Sequence, residues 1–99
     1  MIVLVNVFHV HGSPAEFERE FANVSECMST QPGFLHHRLL RAQDADTSYV
    51  NVAEWQDEQS LRDALARPEV IERLRPLAAF ATARPTVCRP VLDRSSLGV

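Results

Sequence analysis

The chain has 99 residues, of which 45% are hydrophobic and 23% are charged, and its formal net charge is −3. This length predicts one domain with a modest core, and the negative charge argues against a nucleic-acid-binding protein, which needs a basic surface. No apolar run approaches the ~18 residues of a membrane span, and no basic segment follows Met1 as in a secretory signal. We therefore expect a soluble, cytoplasmic protein.

The two cysteines form no recognisable metal or redox motif. Cys27 and Cys88 lack CxxC spacing and histidine-rich surroundings, and their neighbours are apolar or small. Such contexts are typical of structural free thiols. We expect no metal site.

The first predicted strand covers Ile2 to Val10 and is almost entirely apolar or β-branched. A strand that is apolar on both faces needs cover on both sides. A domain of this size rarely covers both faces of its sheet, which indicates a partner subunit. Asn6 and His9 interrupt the strand, and we expect these polar side chains near a sheet edge or a pocket rim.

A helix is predicted to begin at Ser13. This residue is a favourable N-cap, Pro14 suits the first helical position, and Glu16 completes a capping box. Apolar residues then recur at helical spacing and predict a stripe that packs in the core: Phe17, Phe21, Val24 and Met28. The helix is expected to end within residues 29–33.

A hairpin is predicted next. Pro32-Gly33 signals a turn, and two strands follow at Phe34 to Arg41 and Ser48 to Trp55. Alternation in the second strand places Tyr49, Asn51, Ala53 and Trp55 on one face and Val50, Val52 and Glu54 on the other. A buried amide needs hydrogen-bond partners, so Asn51 is either satisfied by the fold or available to a ligand.

The second helical region is predicted to be interrupted by prolines. It opens at Gln56-Asp57, is interrupted at Pro68 and breaks again at Pro76. A last short helical turn is expected at Leu77 to Thr82.

The final strand is predicted at Pro85 to Leu92. It is expected at a sheet edge, because its prolines cannot donate to a ladder. The domain then covers residues 1–92, and residues 93–99 form a loose tail or an arm onto a partner.

The predicted element order is β-α-β-β-α-β, which is typical of the ferredoxin-like α+β fold. A four-stranded antiparallel sheet then carries its helices on one face, and here the other face is apolar. Two such sheets packed face to face would cover each other's apolar surface in a dimeric α+β barrel. We therefore predict a homodimer.

The chain resembles the antibiotic biosynthesis monooxygenase family of dimeric α+β barrel proteins, from Ile2 to about Leu92. The resemblance is carried by Pro-Gly-Phe at residues 32–34, by the strand at residues 50–55 and by the polar segment at residues 56–61. This segment is more specific for the superfamily than for any one activity.

Within this family, Asn51 four residues before Trp55 resembles the anthrone-oxidising monooxygenases of aromatic polyketide pathways. The resemblance implies oxidation of a polycyclic anthrone or phenol to a quinone by O2 with no flavin, haem or metal, because the electron-rich anion of the substrate itself reduces oxygen. It also implies that Asn51 and Trp55 hydrogen-bond the substrate's oxygens and favour its anionic form.

The proton acceptor is left open by the sequence. The family's strand histidine falls near Leu40 or Arg41, and neither residue is a useful base. If Leu40 faces the pocket, His36 and Arg38 share its side of the strand. His36 would then act as the base and Arg38 would bind an anion or carboxylate, while His37 would point to the opposite face.

Three further side chains complete the predicted substrate site. Tyr49, beside Asn51 on its face, is a candidate hydrogen-bond donor. Leu61 stands where the resembled enzymes carry a second-helix tyrosine, and Asn6 is expected at the pocket rim. A haem-degrading enzyme of the same barrel would need a tryptophan and a histidine at two later positions, Ala64 and Leu74, so haem degradation is not expected.

Two other classes of function remain open. One is an isomerase or cyclase on the same barrel in which His36 moves a proton, and the other is a non-catalytic protein that binds a small molecule. A histidine that faces the pocket together with Asn51 and Trp55 would favour an enzyme. Without one, an oxygenase would rely on the acidity of its substrate, and the binding hypothesis would gain.

Overall fold

The first strand, Ile2–Val10 (β1), is one of the two central strands of the sheet, and it pairs antiparallel with the third strand on one side and with the fourth on the other. The structure is a computed structural model that describes residues 1–96. Its elements are β1 (Ile2–Val10), α1 (Pro14–Met28), β2 (Phe34–Arg41), β3 (Ser48–Trp55), α2 (Glu58–Leu65), α3 (Pro68–Phe80) and β4 (Ala81–Cys88). The strand order β2-β3-β1-β4 is that of the predicted ferredoxin-like α+β fold.

Local hydrogen bonds fix the start of two helices and one turn. Ser13 caps α1, where its Oγ accepts a hydrogen bond from the backbone N–H of Glu16 at 3.3 Å. Asp57 caps α2 in the same way, accepting from the backbone N–H of Ser60 at 2.8 Å. Gly33 has φ of +86°, a conformation that favours glycine, and a Cβ there would lie 2.3 Å from Ser60 Oγ. The Pro-Gly turn is therefore required for the close approach of β2 to α2.

The helices pack on one face of the sheet. Along β3, burial alternates strictly, and the buried residues are Tyr49, Asn51, Ala53 and Trp55. We call this the inner face. Helix residues complete two core clusters there: Phe17, Phe21, Val24 and Leu77 join Phe8 and Tyr49, whereas Leu61 and Ala64 join Ala53 and Trp55. The opposite, outer face carries partly buried side chains, among them Val3, Val5, Val7, Val50 and Val52.

Two predicted boundaries are wrong. Helix α3 runs through Pro76 to Phe80. Pro76 has no N–H to donate to the carbonyl of Glu72, but both residues are exposed, so water can solvate this carbonyl and the helix continues. The last strand is Ala81–Cys88 rather than residues 85–92, because it begins directly after α3 and pairs with residues 3–10 of β1. It is an edge strand, as its proline predicted.

The segment after β4 has no helix or strand up to residue 96, and residues 97–99 of the predicted tail lie outside the described residues. Within residues 1–96, none of the helices is both long and apolar enough to cross a membrane.

Candidate active site

A largely enclosed cavity of about 80 Å³ lies between the inner face of the sheet and all three helices. Most of its lining is apolar. The polar groups that reach it are few, and they come from four different elements: Asn6 of β1, Ser25 of α1, His37 of β2, and Asn51 and Trp55 of β3. An apolar cavity with a few convergent polar groups is the usual form of a small-molecule site.

Two asparagines lie side by side on the floor of this cavity. Asn6 and Asn51 are directly opposite each other in the β1–β3 ladder, so both side chains point to the inner face. Asn51 is 9% exposed. The Oδ1 atom of Asn6 is buried and has no hydrogen-bond partner within the described residues. This acceptor is therefore available to a bound molecule.

The indole of Trp55 is the second cavity-lining polar group that is buried without a partner within the described residues. The side chain is 0% exposed, and Nε1 donates to no atom of the described residues. An unpaired buried donor costs about 1–3 kcal/mol, so a fold keeps one only where something else compensates. Phe34 meets the indole edge-on, with ring centroids 5.4 Å apart. The indole ring is thus held firmly at the cavity.

His37 joins helix α1 to strand β3 through its two ring nitrogens. Its Nε2 lies 2.7 Å from Ser25 Oγ, and its Nδ1 lies 3.3 Å from Asn51 Oδ1. Phe21 stacks on the ring at 5.8 Å between centroids, and Phe34 meets it edge-on at 5.4 Å. These contacts fix the orientation of the imidazole at the cavity.

The prediction that His36 shares the cavity side of β2 is wrong. A β-bulge between Phe34 and His36 shifts the register, so that Phe34 and His37 both face inward and His36 faces outward. His36 is instead 3.5 Å from Glu54 on the outer face. Arg38 lies on the outer face with His36, and it does not line the cavity.

Two other predicted substrate contacts lie away from the cavity. Tyr49 is on the inner face but at the far end of β3, where its hydroxyl donates to Glu18 Oε2 at 2.6 Å. Burial, and then the Glu18 carboxylate, raise the pKa of Tyr49 to about 12. Leu61 is 3% exposed and packs in the same cluster as Trp55 without lining the cavity. Leu61 therefore packs with the Trp55 indole in the core and does not contact a molecule in the cavity.

Ser25 and His37 are the site residues that the sequence reasoning missed. Ser25 follows Phe21 by four residues on α1, so helical periodicity could have placed it on the inward face. His37 could not have been chosen over His36, because strict alternation from the inward Phe34 selects His36. The bulge has no glycine or other local signal in the sequence.

Among the described residues, no group of three or more His, Cys, Asp or Glu side chains is placed to hold a metal ion. Cys27 and Cys88 are free thiols, in agreement with the prediction.

Comparison with known proteins gives consistent matches. Residues 1–72 match the sequence model of the family described as Antibiotic biosynthesis monooxygenase. The chain is 46% identical over 82 residues to deoxynogalonate monooxygenase of Streptomyces nogalater. The aligned segment covers 83% of this chain and 70% of that protein.

Solved structures also resemble this chain closely. The crystal structure of SnoaB, a cofactor-independent oxygenase from Streptomyces nogalater, has a TM-score of 0.86 and 41% identity, covering 99% of this chain and 97% of that one. A putative antibiotic biosynthesis monooxygenase from Deinococcus radiodurans has a TM-score of 0.84 at 13% identity, covering 99% and 100%. This second likeness shows the fold alone.

Proposed function

This chain belongs to the antibiotic biosynthesis monooxygenase family and is an enzyme of the monooxygenase class, and we propose that it oxidises a polycyclic aromatic polyketide intermediate of the anthrone or phenol type to a quinone. O2 is the second substrate, no cofactor takes part, and the reaction takes place in the cytoplasm. The observation that carries the proposal is the buried indole N–H of Trp55. It is unpaired within residues 1–96 and borders the same apolar cavity as the Asn51 amide.

The substrate supplies every electron that the reaction needs. An anthrone loses a proton from its central CH2 group and becomes an anion whose charge rests largely on oxygen. This anion passes one electron to O2, and the resulting radical and superoxide combine to a peroxide. The protonated peroxide loses water and leaves a new C=O group, so one oxygen atom enters the product and the other leaves as water.

Asn51 and Trp55 are proposed to stabilise the anion. The indole Nε1–H and the amide Nδ2–H are donors at a cavity whose other walls are mostly apolar, where hydrogen bonds to charge are stronger than in water. A preorganised donor of this kind can lower a barrier by up to about 3 kcal/mol. Asn6 complements them, since its unpaired Oδ1 can accept a hydrogen bond from a phenolic hydroxyl of the substrate.

His37 takes the place of His36 in the proposal as the proton acceptor. Within the described part of the chain, it is the one histidine that lines the cavity, and no carboxylate lines it. A histidine at the cavity also favours an enzyme over a protein that only binds, because a purely apolar pocket would suffice for binding.

The cavity must widen to admit such a substrate. Its volume of about 80 Å³ is well below the ~300 Å³ at the lower end of typical ligand sites. Leu65, the last residue of α2, lines the cavity and is 42% exposed, so it marks the mouth. Movement of α2 away from β2 would open this route.

We also propose that the protein is a homodimer. The outer face exposes a cluster of valines from the two central strands, Val3, Val5, Val7, Val50 and Val52, which are only partly buried. A second copy with the same face would cover them. Sedimentation at micromolar concentration tests this, and a monomer would remove the argument from the apolar face.

The test of the function is oxygen consumption with an anthrone, using protein freed of metal and flavin. The parent should consume one O2 per quinone formed, and the Asn51→Ala and Trp55→Phe variants should be slower. Asn23→Ala, which changes an exposed asparagine on α1, is the control and should match the parent. Tight binding without oxygen consumption would refute the oxygenase and favour the isomerase, cyclase or binding alternatives.

A further inference from the structure

Ser25 and His37 both line the cavity and are hydrogen-bonded to each other, and we propose that Ser25 relays a proton from the substrate to the histidine. The proposal rests on the proposed function, because it specifies how the substrate anion forms. Ser25 lines the cavity on α1, and its Oγ is 2.7 Å from Nε2 of His37.

The hydrogen bonds around His37 determine which ring nitrogen can accept a proton. Nδ1 faces Oδ1 of Asn51, and this amide oxygen can only accept. In neutral His37, Nδ1 therefore carries the hydrogen, and the free lone pair is on Nε2. Nε2 faces the Ser25 hydroxyl, which donates to it. No lone pair of the ring is then directed at the cavity, and the base is reached through Ser25 Oγ.

The relay consists of two proton transfers. The substrate passes its proton to Ser25 Oγ while the hydroxyl hydrogen of Ser25 passes to Nε2 of His37. Ser25 is regenerated as a hydroxyl, the substrate becomes an anion, and His37 becomes an imidazolium. No electron moves in this step, and no bond other than those to the two protons breaks or forms.

The same chain of hydrogen bonds couples the base to the anion donor. Once charged, His37 donates from Nδ1 to Asn51 Oδ1 more strongly than before. This polarises the Asn51 amide, whose Nδ2–H is the proposed donor to the substrate anion. Proton removal at one end of the network thus strengthens anion binding at the other.

The proton that His37 accepts can also be released to solvent. Phe21, Ser25 and His37 border a second, open groove, whose solvent side carries Glu18 and Arg41. The Ser25–His37 pair therefore lies in the wall between the enclosed cavity and water. His37 can return its proton to solvent at this groove without opening the cavity.

The first measurement is the ring tautomer of His37, read from its imidazole ¹⁵N shifts in the parent, with His37→Gln used to assign the signals among four histidines. We expect the hydrogen on Nδ1. A hydrogen on Nε2 of the neutral ring would overturn the proposal, and this readout does not depend on activity.

The second measurement is turnover of Ser25 variants. Ser25→Ala should lower kcat by about 10²-fold, the lower end for loss of general base catalysis, with little change in KM. Ser25→Thr keeps the hydroxyl and should recover most of the rate. Ser29→Ala, on an exposed serine of the same helix end, is the control and should leave the rate unchanged.

A structural effect of Ser25→Ala is separated from a relay by the acidity of the substrate. With a more acidic substrate, the variant should lose less, because proton removal is then easier without the relay. An equal loss with both substrates, or no loss at all, would overturn the relay. A parent that oxidises no anthrone would instead refute the proposed function, and the tautomer would still report whether the hydrogen-bond chain exists.

Discussion

Strand β3 buries a large aromatic side chain near each end, Tyr49 and Trp55, on the same face of the sheet. The two side chains differ in whether their polar atom is hydrogen-bonded. Tyr49 is 1% exposed, and its hydroxyl is paired with Glu18. Trp55, six residues later, is 0% exposed, and its indole N–H is unpaired within the described residues. Both rings pack against other aromatic rings. These two side chains are therefore equally buried, and they differ in whether the polar atom has a hydrogen-bond partner.

This difference has an energetic meaning. At the Tyr49 end, every ring contact and the hydrogen bond stabilise the fold. Along the cavity, two buried polar atoms, on Trp55 at the other end of β3 and on Asn6 opposite Asn51, lack partners within the described residues, and each costs about 1–3 kcal/mol. A site that binds a polar substrate has to leave such atoms free, so stability is given up where binding is needed.

The largest effect is expected at Asn51. Asn51→Ala removes the amide that His37 orients and that donates to the anion, so kcat should fall by about 10²–10³-fold. The fold should persist, because the chain keeps its backbone ladder. Turnover and circular dichroism are measured together, and an unfolded variant would mean that Asn51 is a structural residue like Tyr49.

Trp55→Phe removes the indole N–H and keeps an aromatic ring against Phe34. We expect kcat to fall by about 10-fold or more, less than for Asn51→Ala, because the loss of one neutral donor of several costs about 1–2 kcal/mol. The change should appear in oxygen consumption rather than in the amount of folded protein. Unchanged turnover would show that the unpaired N–H has no part in catalysis.

Asn6→Leu tests the cost of leaving a polar atom unpaired. Leucine has a similar size and removes the buried Oδ1, so the free energy of unfolding should rise by about 1 kcal/mol, while the KM for a hydroxylated substrate rises. Denaturant unfolding and steady-state kinetics measure the two quantities. A less stable protein would mean that Asn6 is satisfied by some other arrangement.

The fold and the burial of Asn51 and Trp55 could be predicted from the sequence, but the bulge in β2 could not. The capping box at Ser13, the alternation that buries Asn51 and Trp55, and the ferredoxin-like fold all follow from short-range patterns. Which residues of β2 face the cavity depends on a bulge at one residue. After the bulge, each residue of β2 points to the face opposite to the one that strict alternation predicts. The hydrogen bond of Tyr49 to Glu18 joins two elements that are distant in sequence, β3 and α1. The sequence of neither element alone predicts that these two residues meet.

Tyr49→Phe should lower stability and leave turnover unchanged. The pKa of Tyr49 is raised from 10.0 to about 12, so the fold favours the neutral phenol. The contribution is present below pH 10 and is lost as the pH rises from 10 towards 12. A shift of two units corresponds to at most about 3 kcal/mol. The stability difference between parent and variant, measured by denaturant at pH 8 and pH 11, should therefore shrink at the higher pH.

The smallest effect is expected at His36, and it separates the two neighbouring histidines. His36 is directed to the outer face, where its Nδ1 lies 3.5 Å from Glu54 Oε2 in a half-exposed contact, and exposed pairs of this kind contribute little to stability, about 0–1 kcal/mol. His36→Gln should leave kcat within about twofold, whereas His37→Gln should lose the proton acceptor and about 10²-fold in rate. The two variants differ by one position and make the same chemical change. If His36→Gln were the slower enzyme, the inward direction of His37 and the bulge that produces it would both be refuted.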